Sequence, residues 1–333
     1  MRTILPVLLE NKLYEVEKEL AERFSPHHNR SKALSTYYRR MRLDKAAERV
    51  EVCGDFLDFR VPIDPAERSK LVHANFCKDR FCPMCAWRRS LKIFGQVSAV
   101  TERLKADYDF IFLTLTVRNC SAAELRGRIS ELSTAFSQRF MKNKHIRNSF
   151  CGYFKALEVT RNAETLPCFE FHPHFHCIFA VRKNYFTSRD YLKFQELRQI
   201  WKDCLGLDYN PSINVKKIYP DESGSLFEAV AEVAKYAVKS DDYLNGSEAE
   251  VESTLFTLIS ALSGRRLCSF GGVFKDMAAE LNLDDAVDGD LVHVEKEETV
   301  ASAGYIVTYE YFAGEGYKLT YLEKDDFYNV DSG

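Results

Sequence analysis

The sequence EFHPHFHCIFAV, residues 170–181, carries histidines at three alternate positions, His172, His174 and His176. Alternate residues of a β-strand point to the same side, so a strand here places all three imidazoles on one face. Pro173 cannot donate to a strand ladder and is expected at a strand start or edge. Neutral imidazoles bind divalent metal ions, which predicts a metal site. The alternative is a polar strand face that happens to be rich in histidine.

A second strand is predicted at residues 151–161, CGYFKALEVTR, and a turn near residues 162–167 would join it to the histidine strand as an antiparallel hairpin. Glu158 lies in this strand among apolar neighbours, where an unpaired charge is costly. A third metal ligand is one explanation, since oxygen ligands suit Mg²⁺ and Mn²⁺. A salt bridge to a nearby basic residue is the other.

The wider pattern indicates an α+β fold with a central antiparallel sheet and helices on one face. Strands and helices are read from apolar periodicity of two and of three to four residues. Besides the hairpin, we predict strands at 109–118 and 211–218 and helices at 121–143, 188–205 and 225–243.

Charge is distributed unevenly along the 333 residues, whose net charge is −3. Residues 276–333 carry 15 acidic and 3 basic residues, so the remaining chain is net basic, as phosphate binding requires. The acidic segment reads as β-hairpins from about residue 288 and suggests a separate piece of surface away from nucleic acid. No apolar run long enough for a membrane span and no signal peptide are recognised, so we expect a cytoplasmic protein without membrane partners.

Four segments are predicted from these patterns. They are a helical N-terminal region, 1–50; a cysteine-containing basic segment, 51–105; the domain of the histidine strand, 106–275; and the acidic β-rich region, 276–333.

The predicted helix 225–243 contains AEVAKYAVK, in which Glu232, Tyr236 and Lys239 share one face. A phenol beside a carboxylate and an ammonium suits phosphoryl transfer. Tyr236 could be the nucleophile, Lys239 could stabilise the phenolate or phosphate charge, and Glu232 could activate a water in a second step. Surface tyrosines and glutamates on helices are common, so this motif depends on the histidine strand for its interpretation.

The cysteines cluster at one place. Cys82 and Cys85 form a C-x₂-C pair, Cys77 precedes it, and Cys53 lies beside Gly54. Four thiolates bind structural Zn²⁺ tightly, and His73 is the competing fourth ligand. A redox pair or unligated core thiols are the alternatives.

A zinc site here would fix a basic segment against DNA. The predicted phosphate-binding residues are Arg80, Arg88, Arg89 and Lys92. Trp87 in the same segment either stacks on bases or fills core.

Taken together, these blocks resemble the HUH endonucleases, and more narrowly the rolling-circle replication initiators of small Gram-positive-type plasmids. The resemblance rests on FLTLTV, LEVT, HPHFHCIF and EVAKYAVK, with NFCKDRFCPMCAWRRSLK and LSGRRLCSFGGVFKD, in that family's order. It spans about Cys53 to Lys275.

The resemblance implies roles for individual residues. His174 and His176 would be metal ligands, Glu158 the third ligand, and Tyr236 the nucleophile, while Glu232 would activate water at termination. His172 belongs to the same motif, with a less defined role.

The implied activity is strand-specific nicking at the plasmid double-strand origin through a 5′-phosphotyrosine, followed by strand transfer. The expected cofactors are Mg²⁺ or Mn²⁺ for catalysis and structural Zn²⁺. The expected partner is origin DNA, single-stranded at the nick, and a host helicase and polymerase are further candidates. An HUH transposase or relaxase, or a non-catalytic zinc-dependent DNA-binding regulator, are the alternative readings.

Overall fold

The structure is a computed structural model. It describes residues 4–162, 170–219, 230–231, 243–285, 287–294 and 303–325. Contacts divide the chain into two compact units: Met1–Lys92 with Asp290–Gly333, and Ile93–Gly289. The predicted 51–105 segment is thus divided after Lys92, and the predicted acidic region is divided at Asp290.

The helices of the first unit pack through apolar residues four apart. Val16, Leu20 and Phe24 follow one another on the first two elements and are buried, as are Leu34 and Tyr38 on the next helix. Such spacing places side chains on one helix face, which forms the core of this unit. The elements are α1 (Ile4–Glu19), a π-helical turn (Leu20–Phe24), α2 (Ser25–Arg40), α3 (Asp44–Glu51) and the first part of α4 (Pro83–Leu104).

The sheet of the first unit joins segments from both ends of the chain. Its strands are β1 (Phe56–Pro62), β2 (Lys70–Ala74), β9 (Gly304–Phe312) and β10 (Gly316–Asp325), in the order β10-β9-β1-β2. β9 pairs antiparallel with β1, from Phe56 opposite Glu310 to Pro62 opposite Gly304. The predicted C-terminal hairpin is therefore present, but the expectation that it forms a separate piece is wrong: it completes the N-terminal sheet.

The second unit contains a five-strand ladder in the order β7-β3-β6-β5-β8, every pairing of which is antiparallel. Its strands are β3 (Tyr108–Thr116), β5 (Gly152–Asn162), β6 (Glu170–Arg182), β7 (Ile213–Ile218) and β8 (Cys268–Gly272), and the short β4 (Cys120–Ser121) pairs with β6. The predicted α+β class with a central antiparallel sheet is confirmed.

Pro173 lies inside β6 and not at its start. β3 pairs with β6 only as far as Thr116 opposite His174, and β4 resumes the pairing at Cys120 opposite Phe171. The missing N–H of Pro173 therefore coincides with an interruption of the neighbouring ladder, so no hydrogen bond is lost there.

Helices pack against the large sheet on both faces. Phe136 contacts Phe175 and Phe179 on one face, with ring centroids 5.5 and 6.5 Å apart. Phe274 contacts Phe110 on the other face at 6.0 Å, which corrects the expectation of helices on one face. The helices are α5 (Ala122–Thr134) with a π-helical turn (Ala135–Phe140), α6 (Lys144–Ser149), α7 (Phe194–Leu205), α8 (Glu248–Leu262) and α9 (Val273–Glu280); a 3₁₀ turn spans Tyr185–Thr187.

Within the described residues, no helix is both long and apolar enough to cross a membrane. The predicted helix 225–243 lies mostly outside the described residues.

Candidate metal centres

The first candidate centre is built on the β5–β6 ladder. Glu158 lies opposite His174, and Ala156 lies opposite His176. Because side chains alternate along a strand and neighbouring strands are in register, Glu158, His174 and His176 project from the same face. The predicted hairpin thus brings the two histidines and the carboxylate together.

The three side chains meet at their polar tips. The Nε2 atoms of His174 and His176 lie 3.0 Å apart, and Glu158 Oε2 lies 2.8 Å from His176 Nε2 and 3.4 Å from His174 Nε2. All three side chains are nearly buried. Their ligand atoms lie within 4.8 Å of one another, close enough to bind one ion.

The other ring nitrogens fix how the two imidazoles are presented. His174 Nδ1 lies 3.1 Å from the carbonyl oxygen of His172, which can only accept, so Nδ1 donates and a neutral ring leaves Nε2 unprotonated. His176 Nδ1 contacts Thr114 Oγ1 at 3.3 Å. Partners of this kind orient metal-binding histidines and set their tautomers. Thr114 was not singled out from the sequence, although it lies in the FLTLTV strand.

The electrostatics of the group also fit a cation. Burial acts to raise the pKa of Glu158, but the His174 and His176 rings beside its carboxylate hold that pKa well below its usual range. The carboxylate is therefore ionised. Two imidazole nitrogens and an anionic oxygen facing one another form a donor set that a divalent metal satisfies.

His172 does not join this group. Its Nδ1 lies 2.9 Å from Asn119 Oδ1, and its ring centroid is 5.1 Å from that of His174. It lies opposite Thr160 and so is one alternate position further along the ladder than Glu158. Each such step is about 7 Å along a strand, which is why three histidines on one face need not share one ion. The structure does not support His172 as a ligand of the same ion.

The second candidate centre contains four cysteines in the first unit. Cys53 follows α3, Cys77 lies after β2, and Cys82 and Cys85 lie at the start of α4. The Sγ atoms of Cys53 and Cys85 are 3.5 Å apart, and those of Cys77 and Cys85 are 3.7 Å apart. Four sulfurs around one zinc at about 2.3 Å lie about 3.8 Å from one another. The spacing therefore matches a tetrahedral thiolate site.

Backbone and hydroxyl groups surround these sulfurs. The N–H of Cys77 donates to Cys53 Sγ at 3.3 Å, and the N–H of Asp79 donates to Cys77 Sγ at 3.4 Å. Ser31 Oγ lies 3.2 Å from Cys82 Sγ. Such contacts stabilise thiolates in an outer shell around a metal. Ser31 lies in α2, far from the cysteine segment in sequence, so spacing alone could not reveal it.

His73, the competing fourth ligand, lies elsewhere. It is exposed on β2, where its Nδ1 is 3.3 Å from Asp58 Oδ2 on the neighbouring strand. Cys53 occupies the fourth position of the cluster instead.

Comparison with known proteins shows which family these features belong to. A family model described as Replication protein matches residues 68–318, which include both the histidine strand and most of the cysteine cluster. The chain is a member of the Rep family of rolling-circle plasmid replication initiators. The resemblance inferred from the motifs is confirmed.

Curated Rep relatives match over most of their length. A "Protein rep" of Bacillus amyloliquefaciens is 40% identical over 278 residues, 78% of this chain and 80% of the relative. A "Protein rep" of Streptococcus pneumoniae is 33% identical over 262 residues, 77% of this chain and 78% of the relative. One of Staphylococcus aureus is 34% identical over 226 residues, covering 67% and 95%. No solved structure matches.

The predicted catalytic residues of this Rep protein, Glu232, Tyr236 and Lys239, lie outside the described residues. Their roles stay predictions.

The predicted DNA-binding residues are mostly interior. Arg88 is 5% exposed and donates to the carbonyls of Leu291 and Val292 at 2.9 and 2.7 Å. Lys92 is 3% exposed and donates to the carbonyl of Asp290 at 2.6 Å.

Arg89 shows the same arrangement. It is buried and donates to the backbone carbonyls of Lys78 and Asp79. A charge bonded in this way holds folded segments together and is not presented to a phosphate, which corrects the expectation for Arg88, Arg89 and Lys92. Arg80 is half-buried, and its DNA contact stays a prediction.

Trp87 is half-buried and packs against side chains of the first unit. Its ring stacks on His27 with centroids 4.8 Å apart and meets Phe24 edge-on at 4.9 Å. Of the two readings of Trp87, these contacts favour core packing over base stacking.

Proposed function

We propose that this Rep protein starts replication by a metal-dependent nick in one strand of its plasmid origin, made through a covalent phosphotyrosine. The observation that carries the proposal is the convergence of Glu158, His174 and His176 on one face of the sheet in a member of this family. A buried carboxylate with two imidazoles is a donor set for Mg²⁺ or Mn²⁺. A divalent ion bound there would polarise a phosphate oxygen and offset the charge that develops in phosphoryl transfer.

The covalent step is assigned to Tyr236. Its phenol oxygen attacks the phosphorus at the nick site, a phosphorus–oxygen bond forms, and the bond to the 3′ oxygen breaks. The phenol loses its proton, and the leaving 3′ oxygen gains one. The product is a 5′-phosphotyrosine and a free 3′ hydroxyl, which a host polymerase can extend. Lys239, on the same predicted helix face, would stabilise the phenolate or the phosphate charge.

The closing step is assigned to Glu232. A single tyrosine cannot attack twice while it remains linked to DNA, so release requires another nucleophile. A carboxylate one helical turn from Tyr236 can accept a proton from a water and so permit hydrolytic termination. A single tyrosine with a nearby glutamate therefore fits hydrolytic termination better than a pair of tyrosines would.

For the cysteine cluster we propose a structural Zn²⁺. Soft thiolates select Zn²⁺ over Mg²⁺ and Mn²⁺, and four sulfurs leave no open coordination position for a substrate. The role inferred is to hold the end of α3, the segment around Cys77 and the start of α4 together. The expected macromolecular partner remains plasmid origin DNA, with a host helicase and polymerase acting afterwards.

The nick is tested with a single-stranded oligonucleotide that contains the origin of the plasmid encoding this chain, in Mn²⁺ and separately in Mg²⁺. A 3′ label follows the fragment that becomes linked to protein, and a 5′ label follows the fragment that ends in a free hydroxyl. We expect Tyr236→Phe to abolish the covalent adduct and the cleavage while origin binding persists. Tyr14→Phe, at an exposed tyrosine of α1, serves as the control and should cleave normally.

Two results would contradict the proposal. Adduct formation by Tyr236→Phe would assign the nucleophile to another tyrosine, which peptide mapping of the adduct would locate. Binding without any cleavage by the unaltered protein would favour a DNA-binding regulator. For the closing step, Glu232→Ala should nick at a normal rate but accumulate the adduct and release few circles; equal loss of both steps would remove the assigned role.

A further inference from the structure

The unit that contains the large sheet carries a group of exposed aromatic side chains near the C-terminal ends of β6 and β7. Tyr219, directly after β7, is 71% exposed, and Tyr191, ahead of α7, is 42% exposed. Tyr191 packs against Phe186 of the 3₁₀ turn with ring centroids 6.0 Å apart. Aromatic surface left in water at several adjacent positions indicates a binding surface more often than a single exposed ring does.

A lysine lies between these rings. The Nζ of Lys217 lies 4.4 Å from the Phe186 ring centroid and 5.0 Å from that of Tyr219. Both distances are within cation–π range. Phe186, Tyr191, Lys217 and Tyr219 therefore form one continuous group, which we name the aromatic strip.

The surroundings of the strip are basic. Residues 182–198 contain five basic and two acidic residues, and β7 adds Lys216 and Lys217. Asp109 lies 3.0 Å from Lys183 Nζ and 3.9 Å from Lys217 Nζ, so one carboxylate is shared between two ammonium groups. The local excess of positive charge complements a polyanion.

We propose that the aromatic strip binds single-stranded DNA by stacking bases on Tyr191 and Tyr219 while Lys217 contacts a phosphate. Unpaired bases expose flat faces that stack on aromatic rings irrespective of sequence, and lysines beside those rings follow the backbone. Duplex DNA does not present its base faces in this way. The proposal goes beyond the nicking reaction, because binding at the strip requires neither Tyr236 nor the cluster of Glu158, His174 and His176, which we call the metal group.

The position of the strip allows one DNA strand to reach both the metal group and the strip. β7 is the outermost strand of the described sheet on that side. Asn214 lies opposite Thr114, in the row of His176, and Lys216 follows on the same face. Lys217 lies on the opposite face, and Tyr219 is five residues beyond Asn214, roughly 17 Å along an extended strand. A DNA strand leaving the metal group would pass the exposed side chains of Asn214 and Lys216 before it reaches the strip.

The test measures binding of a labelled oligothymidylate by fluorescence anisotropy, without added Mg²⁺ or Mn²⁺ so that no cleavage occurs, against a blunt duplex without an origin. We expect Tyr219→Ala to weaken oligothymidylate binding about tenfold, since each stacked base contributes about that much. Tyr219→Trp should restore the affinity and show quenching of the new indole on binding. Lys217→Gln should reduce the salt dependence of binding by roughly 0.7 in the logarithmic slope, the value for one phosphate contact in a single strand.

Phe256→Ala provides the matched control. Phe256 is 70% exposed in the same unit but lies on α8, which carries three glutamates and no basic residue. It should leave binding unchanged. Equal affinity of Tyr219→Ala and the unaltered protein, an equal loss in Phe256→Ala, or a loss of duplex binding as large as that of single-strand binding would each overturn the proposal. None of these outcomes depends on whether Tyr236 is the nucleophile.

Discussion

Glu158 and His174 lie directly opposite each other on β5 and β6, and their polar tips, Oε2 and Nε2, are 3.4 Å apart. The relationship is set by strand register, since a shift by one residue would turn the carboxylate to the other face. The same register places His176 Nε2 2.8 Å from the same oxygen. The sheet therefore assembles the metal group without any contribution from a loop.

Glu158→Gln tests whether the negative charge of this side chain is needed for metal binding, because it removes the charge and keeps the size. The amide fills the same space but lacks the anionic ligand, so we expect Mn²⁺ affinity to fall at least about tenfold and nicking to fall with it. Isothermal titration with Mn²⁺ measures the affinity, and the labelled oligonucleotide measures nicking. The thermal unfolding midpoint without added Mn²⁺ shows whether the fold is unchanged. Glu170→Gln, on the same face of β6, is the control. Unchanged Mn²⁺ affinity in Glu158→Gln would remove this carboxylate from the ligand set.

The cysteine cluster predicts about one zinc per chain in the purified protein. Cys85→Ser should lose that zinc and lower the unfolding midpoint, because a structural metal site contributes its binding energy to folding. Cys151→Ser, a half-buried cysteine of the other unit, should keep both zinc and stability. Elemental analysis and thermal unfolding provide the measurements. Full zinc content in Cys85→Ser would mean that the sulfurs do not share an ion.

The metal group could be predicted from the sequence because it depends on local periodicity. Histidines two apart on a strand share a face wherever the strand lies, and Glu158 follows from a short hairpin. Cys82 and Cys85 are equally local. Sequence could not show that His172 engages Asn119, since this depends on where β4 crosses beside β6.

The sequence could not predict pairings between segments that lie far apart along the chain. β9 pairs with β1 across more than 240 residues, and nothing in either strand's pattern specifies the other. The same separation explains the basic segment: Arg88 was expected at the surface because it is charged, but its acceptors are carbonyls of Leu291 and Val292, some 200 positions away. Charge predicts exposure only on average.

Arg88→Ala should therefore act on stability and not on DNA binding. The substitution leaves the buried carbonyl of Leu291 without the Arg88 donor, leaves the Val292 carbonyl with only the N–H of Val294, and removes packing against Trp87. We therefore expect unfolding to become easier by about 2–4 kcal/mol. Urea denaturation measures this change, and origin affinity well below the midpoint should stay within about twofold. Arg68→Ala, at an exposed arginine of the same unit, should change stability by less than about 0.5 kcal/mol. A large loss of origin affinity with unaltered stability would restore Arg88 as a DNA contact.

The turn that supplies those carbonyls should make stability depend on pH. Asp290 Oδ1 accepts from the N–H of Val292 at 2.9 Å, and Oδ2 accepts from the N–H of His293 at 3.0 Å. Partial burial acts to raise the pKa of Asp290, but these backbone bonds and the His293 ring lower it to about 2. An aspartate with a lowered pKa stabilises the fold above its ordinary value of about 3.9, and this contribution is lost as the pH falls towards 2.

Asp290→Asn tests this dependence, because an amide cannot ionise. The variant should unfold at a lower temperature than the unaltered protein near pH 7, by a margin that stays constant down to about pH 5 and narrows as the pH falls below about 4. Asp208→Asn, at an exposed aspartate of the other unit, is the comparison and should show no such narrowing. A margin that is unchanged between pH 7 and pH 3 would mean that the ionised carboxylate does not stabilise this turn. In that case the carbonyls that accept from Arg88 and Lys92 would be positioned by the backbone alone.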